Sequence, residues 1–431
     1  MIKDFSATIH IIGLGVSEKA ELLEPAREAL KQSSWVVGSE RQLKVVAHLL
    51  DEDQKQKILP PLKALSQWLR EEKLSESSFS ILASGDPLYF GIGRWFLKHY
   101  PIDVLNFYPA VSSIQAACHE IGVALQDVEV LSLHGRPLAQ IRKTLKPAQT
   151  LIVLSDKKSN PQVLAKECIN AGFLDASITV CENLGYPEQG VNTFKVKDLS
   201  GSSENFDPLH LSVIKTGLSV SNLLPSFPGI PDENFVTKIG SDKGKAYKAM
   251  MTKREVRLAI LSLMQANNAD VIWDIGAGCG SVSVELAYWN KTVQVHAVEH
   301  HPERLACLNE NSDRFGVGSQ LNIVEGSAPD CLVDLPDPSK VFIGGSDGRM
   351  PELLACSWNK LPENGLLVIA AVTETSKSHV LKFHDSIEST CELETLQISV
   401  SKGSQLAKQL IYRPNLPVTL FCLKKKSVAK I

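Results

Sequence analysis

The stretch Val271-Ile-Trp-Asp274-Ile-Gly276-Ala-Gly278-Cys-Gly280-Ser281 decides how the second half of this chain folds. A short apolar run ends in three glycines at alternate positions, and a helical pattern from Ser281 to Trp289 starts at once. That is a buried strand turning directly into a helix. The glycines permit the tight turn and let backbone amides approach a ligand closely. The start of the helix favours the electron-rich end of that ligand. The next strand-like run, Val293 to Val298, stops at Glu299, where a carboxylate can bind both hydroxyls of a ribose. The glycine spacing is G-x-G-x-G rather than the G-x-G-x-x-G of dinucleotide sites.

Working outward, apolar strands and helical segments keep alternating. Leu321 to Val324 runs into Glu325-Gly-Ser327-Ala328-Pro329, and Lys340 to Ile343 runs into Gly344-Gly345-Ser346. In a doubly wound sheet both ends face the same crevice as the glycine loop. Leu366 to Ala371 and Val418 to Leu423 are further strands, and Thr252 to Met264 is a helix ahead of the loop. The first half alternates in the same way. Thr8 to Ile12, Trp35 to Val37, Phe79 to Ala83, Val104 to Phe107, Val128 to Leu133, Leu151 to Leu154, Ile178 to Cys181 and Leu209 to Ile214 read as strands. Glu40 to Leu50, Ser113 to Ile121 and Pro161 to Ala171 read as helices. Between the halves, Ser, Gly, Asn and the evenly spaced Pro225, Pro228 and Pro231 mark a boundary. The expected organisation is an α/β domain over 1–215, a linker over 216–228 and a second α/β domain over 229–431.

A chain of 431 residues exceeds what one core usually organises, which agrees with two domains. With 45 Lys and Arg against 48 Asp and Glu, the formal net charge of -3 provides no global field for nucleic acid, though a local basic pocket for an acidic small molecule remains open. Nine cysteines stand singly, with no C-x-x-C pair, which argues against a disulfide framework and a zinc site. The N-terminus lacks a secretory pattern, and no run approaches the roughly 20 apolar residues of a membrane span. The expectation is a cytoplasmic enzyme with no nucleic-acid or membrane partner and no metal.

The C-terminal motifs carry a family resemblance. The G-x-G-x-G spacing behind Asp274 resembles the Rossmann-like methyltransferases, whose donor has a ribose and a methionine end but no pyrophosphate. Pro228-Gly-Ile-Pro231-Asp-Glu, Met251-Thr252-Lys253-Arg254-Glu255-Val256-Arg257, the Asp274–Gly280 loop, Ala328-Pro329 and Gly344-Gly345-Ser346 resemble the precorrin C15-methyltransferase (decarboxylating) family, over nearly everything after the linker. The resemblance implies S-adenosylmethionine contacts at Thr252, Gly276, Ala277, Gly278, Cys279, Gly280, Glu299 and Ala328, with Asp274 and Ser327 beside them. Free-standing members assemble as tetramers, so self-association through one or both domains is expected.

In the first half, Ile11-Ile-Gly13-Leu-Gly15 makes a poor dinucleotide turn. Together with Val37-Gly38-Ser39-Glu40-Arg41-Gln42-Leu43, Leu82-Ala83-Ser84-Gly85-Asp86-Pro87, Tyr108-Pro109-Ala110-Val111-Ser112-Ser113 and Leu131-Ser132-Leu133-His134-Gly135-Arg136, it resembles the tetrapyrrole methylases of the precorrin C5-methyltransferase branch, from about Ile9 to Leu211. That fold holds S-adenosylmethionine between two α/β subdomains. The resemblance implies a second donor site at Gly13, Gly15, Gly85, Asp86, Pro87, Ser112 and Ser113. Two positions depart from the pattern: Gly15-Val16-Ser17 stands for Gly-Pro-Gly, and Ala110 stands for a glycine. A small side chain is tolerated at either if φ stays negative. Taken singly, Gly-Asp-Pro also reads as an ordinary turn and Ser-Ser as a helix cap.

The pair of domains resembles the fused precorrin C5,15-methyltransferases (decarboxylating) of cobalamin biosynthesis. The resemblance implies methylation at two meso carbons and loss of the ring C acetate carboxyl, the C5 step in the first domain and the rest in the second. Such a substrate carries many carboxylates, which guanidinium groups bind bidentately. Arg254, Arg257, Arg349 and Arg413 are the candidates, with Arg136 in the first half and Gly344, Gly345 and Ser346 admitting a large ligand. The alternative for each arginine is a solvated surface charge. Lys402-Gly403 stands where the family has Arg-Gly. His300 and His301, if extended, face opposite ways and do not form a joint metal site. His134 is either near the first donor or a satisfied core histidine. Two rival readings stay open: an RNA methyltransferase, and a chain whose first domain only holds donor as a scaffold.

Overall fold

The computed structural model describes residues 7–72, 78–218, 227–238 and 251–427. Most of the expected linker, 219–226 with Pro225, lies outside the described residues. The chain divides into two compact units, 1–136 with 145–221, and 137–144 with 222–431.

The first unit holds two sheets. The first is built from β1 (Ile9–Gly13), α1 (Glu24–Gln32), β2 (Trp35–Gly38), α2 (Glu40–Val46), β3 (Lys55–Ile58), α3 (Leu62–Glu72), β4 (Phe79–Ala83), α4 (Gly93–His99), β5 (Leu105–Tyr108) and α5 (Ser113–Ile121). Its strands are all parallel in the order β3-β2-β4-β1-β5. β1 and β4 lie at the centre, covered on both faces, so they read as nearly continuous apolar runs. The second sheet comprises β6 (Val128–Ser132), β7 (Thr150–Leu154), α6 (Pro161–Asn170), β8 (Ser177–Glu182), β9 (Gly190–Lys195), α7 (Val196–Leu199) and β10 (His210–Lys215). Its order is β6-β7-β10-β8-β9, and only the β6–β7 pair is parallel. The helix expected over Glu40 to Leu50 ends at Val46 and closes in a 3-10 turn over Ala47–Leu49. β3 and β9 gave no sequence signal because they are edge strands rich in exposed polar residues.

The second unit contains α8 (Arg254–Met264), β11 (Val271–Ile275), α9 (Ser281–Trp289), β12 (Gln294–Glu299), α10 (Pro302–Arg314), β13 (Leu321–Glu325), β14 (Lys340–Ile343), α11 (Met350–Lys360), β15 (Leu366–Ala371), α12 (Glu374–Ile387), β16 (Cys391–Ile398), β17 (Ser401–Leu406), β18 (Gln409–Pro414) and β19 (Val418–Lys425). Seven strands order as β13-β12-β11-β14-β15-β19-β16, the first five parallel and β19 antiparallel to both neighbours. The order reverses at β11, between β12 and β14. This is the switch point where open α/β sheets form a crevice at their carboxyl ends. β17 and β18 make a separate hairpin.

Arg257 on α8 is fully buried. Its Nε donates to Glu285 Oε1 at 2.6 Å, its Nη1 to Asp232 Oδ1 at 3.2 Å and to the Thr252 carbonyl at 2.7 Å, and its Nη2 to the Ile230 carbonyl. The guanidinium also lies 4.8 Å from the Phe235 ring centroid. Glu285, equally buried, further accepts from Gly229 N, Ile230 N and Trp289 Nε1. This network ties residues 229–235 to α8 and α9. It also corrects the expectation that Arg257 binds substrate: its donors are taken and no solvent reaches them.

Candidate active site

In the second unit the carboxyl ends of β11, β12, β13 and β14 converge, as the glycine run implies. Gly276, Gly278 and Gly280 all take left-handed φ, +73°, +62° and +81°. A Cβ on Gly276 would lie 2.8 Å from the Gly345 backbone, so the Gly276 and Gly344-Gly345 loops touch through bare main chain. Glu299 ends β12, paired with Glu325 of β13. Its Oε2 accepts from Gly278 N at 2.9 Å, and its Oε1 accepts from His300 N at 2.9 Å and His301 N at 3.0 Å. One carboxylate thus fixes the glycine loop and the turn into α10. That turn also corrects the expectation for the histidines. The strand stops at Glu299, so alternation no longer applies, and the two rings lie side by side with centroids 4.0 Å apart.

Asp274 is buried behind the loop. Its Oδ2 accepts from Ser283 Oγ, while Oδ1 is enclosed without a partner. Burial pushes its carboxyl up to about 7, the Ser283 bonds opposing and the Glu299 charge adding to the rise. Thr252 presents its carbonyl to Ser281 Oγ at 3.4 Å as well as to Arg257. Ser327 and Ala328 follow β13, and the Ala328 carbonyl accepts from Arg349 Nη1 at 3.4 Å. A cradle of backbone too close for any Cβ, an acid at the end of the second strand and an unpartnered buried oxygen fit a donor with a ribose and a charged methionine end.

Cys279 departs from expectation. Its side chain is wholly buried beside Cys307, Val236 and Met251, burial pushes the thiol up to about 11, and only its main chain belongs to the loop. Arg349 also serves the walls of the site. It pairs with Asp330 and Glu352, each at 2.6 Å, so its charge is compensated before any substrate arrives. Arg254 and Arg413 are exposed. Arg413 faces Lys402 across the β17–β18 hairpin, and Lys402 Nζ lies 3.3 Å from Glu255 and 3.9 Å from Asp232.

In the first unit, Gly15 and Gly85 have φ of +69° and +63° and bridge each other, with Gly85 N donating to the Gly15 carbonyl at 3.2 Å. With Ser112 and Ser113 they line a cavity of about 160 Å³. Gly13, Asp86 and Pro87 do not line it and instead shape the loops that do. A Cβ on Gly13 would lie 2.7 Å from the Gly85 carbonyl oxygen, Asp86 Oδ1 accepts from Leu88 N and Tyr89 N, and Pro87 packs against Gly13. Ser112 Oγ caps α5 in a box with Gln115. Ala110, in place of a glycine, does not have a positive φ. Its methyl fills the space that a Cβ on Gly13 would need.

The cavity shares Ser84, Tyr89, Phe90, Ser113 and His210, among others, with a cleft of about 2030 Å³. Arg94, Lys98, Arg136, Lys157 and Lys166 line that cleft against Asp156 and Glu204, a balance that favours an anionic ligand. His134 lines it too. Hydrogen bonds from Gly135 N and Ser159 hold the Asp156 carboxyl down at about 2, so it stays ionised. Sequence reading passed over Arg41 and Tyr186. Arg41 Nη2 donates to Ser84 Oγ at 2.8 Å and Nη1 to the Tyr186 hydroxyl at 3.1 Å. Only the arginine's position inside a recognisable motif hinted at this.

Residues 8–200 match the family of tetrapyrrole (corrin/porphyrin) methylases, and residues 246–425 match the precorrin methyltransferase domain. A precorrin-6Y C(5,15)-methyltransferase [decarboxylating] from Sinorhizobium sp is 29% identical over 96% of this chain and 95% of its own length. A cobalt-precorrin-6B C(15)-methyltransferase (decarboxylating) from Salmonella typhimurium is 32% identical over 41% of this chain and 90% of its own length. The chain belongs to the precorrin methyltransferase family. The crystal structure of a precorrin-6y C5,15-methyltransferase from Geobacter metallireducens is 31% identical over 47% of this chain and all of that one, with a TM-score of 0.42. The glycine loops of both units lie inside the segments of this chain that match the two families. Among the described residues, no helix is long and apolar enough to cross a membrane.

Proposed function

We propose that this chain methylates precorrin-6B at C5 and C15 and decarboxylates its ring C acetate side chain in cobalamin biosynthesis, with one S-adenosylmethionine site in each unit. The observation that carries this reading is the end-to-end similarity to a C(5,15)-methyltransferase, 96% of one chain against 95% of the other. Donor supplies an electrophilic methyl on a sulfonium. Gly15, Gly85 and Ser113 would hold it in the first unit, and Gly276, Gly278, Glu299 and Ala328 in the second. The 160 Å³ cavity is below the usual range for a ligand of that size, so a donor there would extend into the adjoining cleft.

The meso carbon of a reduced tetrapyrrole is enamine-like, and aligning it with the methyl supplies much of the rate. Lost carbon dioxide leaves its electron pair in the conjugated ring. The basic side chains of the first unit's cleft would bind the acetate and propionate groups. Mass spectrometry of the product from precorrin-6B and S-adenosylmethionine tests the reading. Two added methyls and one lost carbon dioxide are expected. Folded, donor-binding protein that changes no mass overturns it. Two equivalents of bound donor per chain are expected by calorimetry, and one equivalent would mean that one unit holds no donor.

A further inference from the structure

At the junction of the small cavity and the large cleft of the first unit sits an imidazole with a defined orientation. His210 opens β10 and lines both spaces. Its Nδ1 lies 2.6 Å from the Asp207 carbonyl oxygen, which can only accept, so Nδ1 carries the proton. In the neutral ring Nε2 then holds the lone pair, and the Ser155 hydroxyl, with Oγ 3.1 Å away, donates to it. Ser155 follows β7 and also lines the cleft. The two neighbouring strands β7 and β10 thus place a hydroxyl, an imidazole and a fixing carbonyl in a row where donor and acceptor spaces meet. Such a row takes up a proton from a reacting atom beside the hydroxyl.

Methylation at a meso carbon produces such a proton. The carbon–carbon bond forms with the electron pair of the enamine-like carbon, and the sulfur–methyl bond breaks with its pair going to sulfur. C5 then bears both hydrogen and methyl, and the ring carries the positive charge. Breaking the C5–H bond returns its electron pair to the ring and restores conjugation. We infer that Ser155 and His210 remove this proton: Ser155 Oγ accepts it as its own hydrogen passes to His210 Nε2. Ser155 is then the catalytic group at C5, and His210 acts through it as the base. The inference rests on the proposed C5 methylation in this unit.

The test uses the full chain with precorrin-6B and S-adenosylmethionine, timing each added methyl by mass. His210→Ala should slow the C5 methyl by about a hundredfold or more in kcat, at unchanged KM and donor affinity, and free imidazole should restore it. His210→Asn keeps a donor toward the Asp207 carbonyl and should not restore activity. Ser155→Ala should slow the same methyl. A His210→Asn enzyme as fast as wild type would show a structural role and overturn the inference, as would a His210→Ala enzyme within about threefold of wild type, far short of a general base's contribution. Wild-type protein that adds no C5 methyl overturns the functional reading, and this inference with it.

Discussion

Replacing Glu285 by alanine should unlatch the second unit while leaving the first intact. The carboxylate accepts four donors: Arg257 Nε at 2.6 Å, Gly229 N at 2.8 Å, Ile230 N at 3.1 Å and Trp289 Nε1 at 2.9 Å. Glu285→Ala leaves the Arg257 guanidinium fully buried with Asp232 as its remaining anion. Breaking a buried ion pair on one side costs about 3–5 kcal/mol. Each orphaned amide adds to that, though not additively. Since the stability of a domain is about 5–15 kcal/mol, the loss is a large share. Hydrogen exchange resolves the two units. Protection of α8 and β11 should fall by about a hundredfold or more, from 3 kcal/mol at about 1.4 kcal/mol per tenfold, and β1 and β4 should keep theirs. Arg257→Met with Glu285→Leu should recover part of the loss by removing both charges at similar volume. Unchanged protection of α8 in Glu285→Ala, or a double variant as damaged as the single one, would refute the reasoning.

Asp274 has its folded pKa raised to about 7 against an ordinary carboxyl near 4, so the folded state holds a proton that the unfolded state has released. Stability should therefore fall by up to about 1.4 kcal/mol per pH unit as pH rises through that window, and level off above it. Asp274→Asn should remove the slope in pH-dependent unfolding of the second unit; an unchanged slope would place it elsewhere. Glu299→Gln gives up one of the oxygens that fix the glycine loop, and calorimetry should show donor binding at the site proposed for the second unit weakened by about tenfold or more, the loss expected of a charge-assisted hydrogen bond. Unchanged donor affinity would contradict the role given to Glu299. Gly276→Ala combines a left-handed φ with a Cβ at 2.8 Å from the Gly345 backbone, so it should destabilise the second unit by about 1–3 kcal/mol or more. A normal melting profile with normal donor binding would mean the loops yield.

What the sequence determined by itself was local. Val271 to Trp289 is one continuous strand–turn–helix, so the glycines at its turn can be read for a tight turn without knowing what surrounds them. The same holds for Gly15, Gly85 and the Ser112 cap, and for the α/β alternation that the central strands carry as apolar runs. Edge strands such as β3 and β9 stayed invisible because solvent imposes no apolar pattern on them. The use of each charge was decided only by the tertiary structure. Arg254 and Arg257 stand three residues apart, yet one is exposed and the other buried against Glu285, 28 residues away. The junction of His210 with Ser155, and of Arg41 with Ser84 and Tyr186, depends on strands brought together across 43 to 145 residues of chain. Turn chemistry acts between neighbours in sequence, whereas desolvation and ion pairing act between neighbours in space, and those exist only once the sheets have formed.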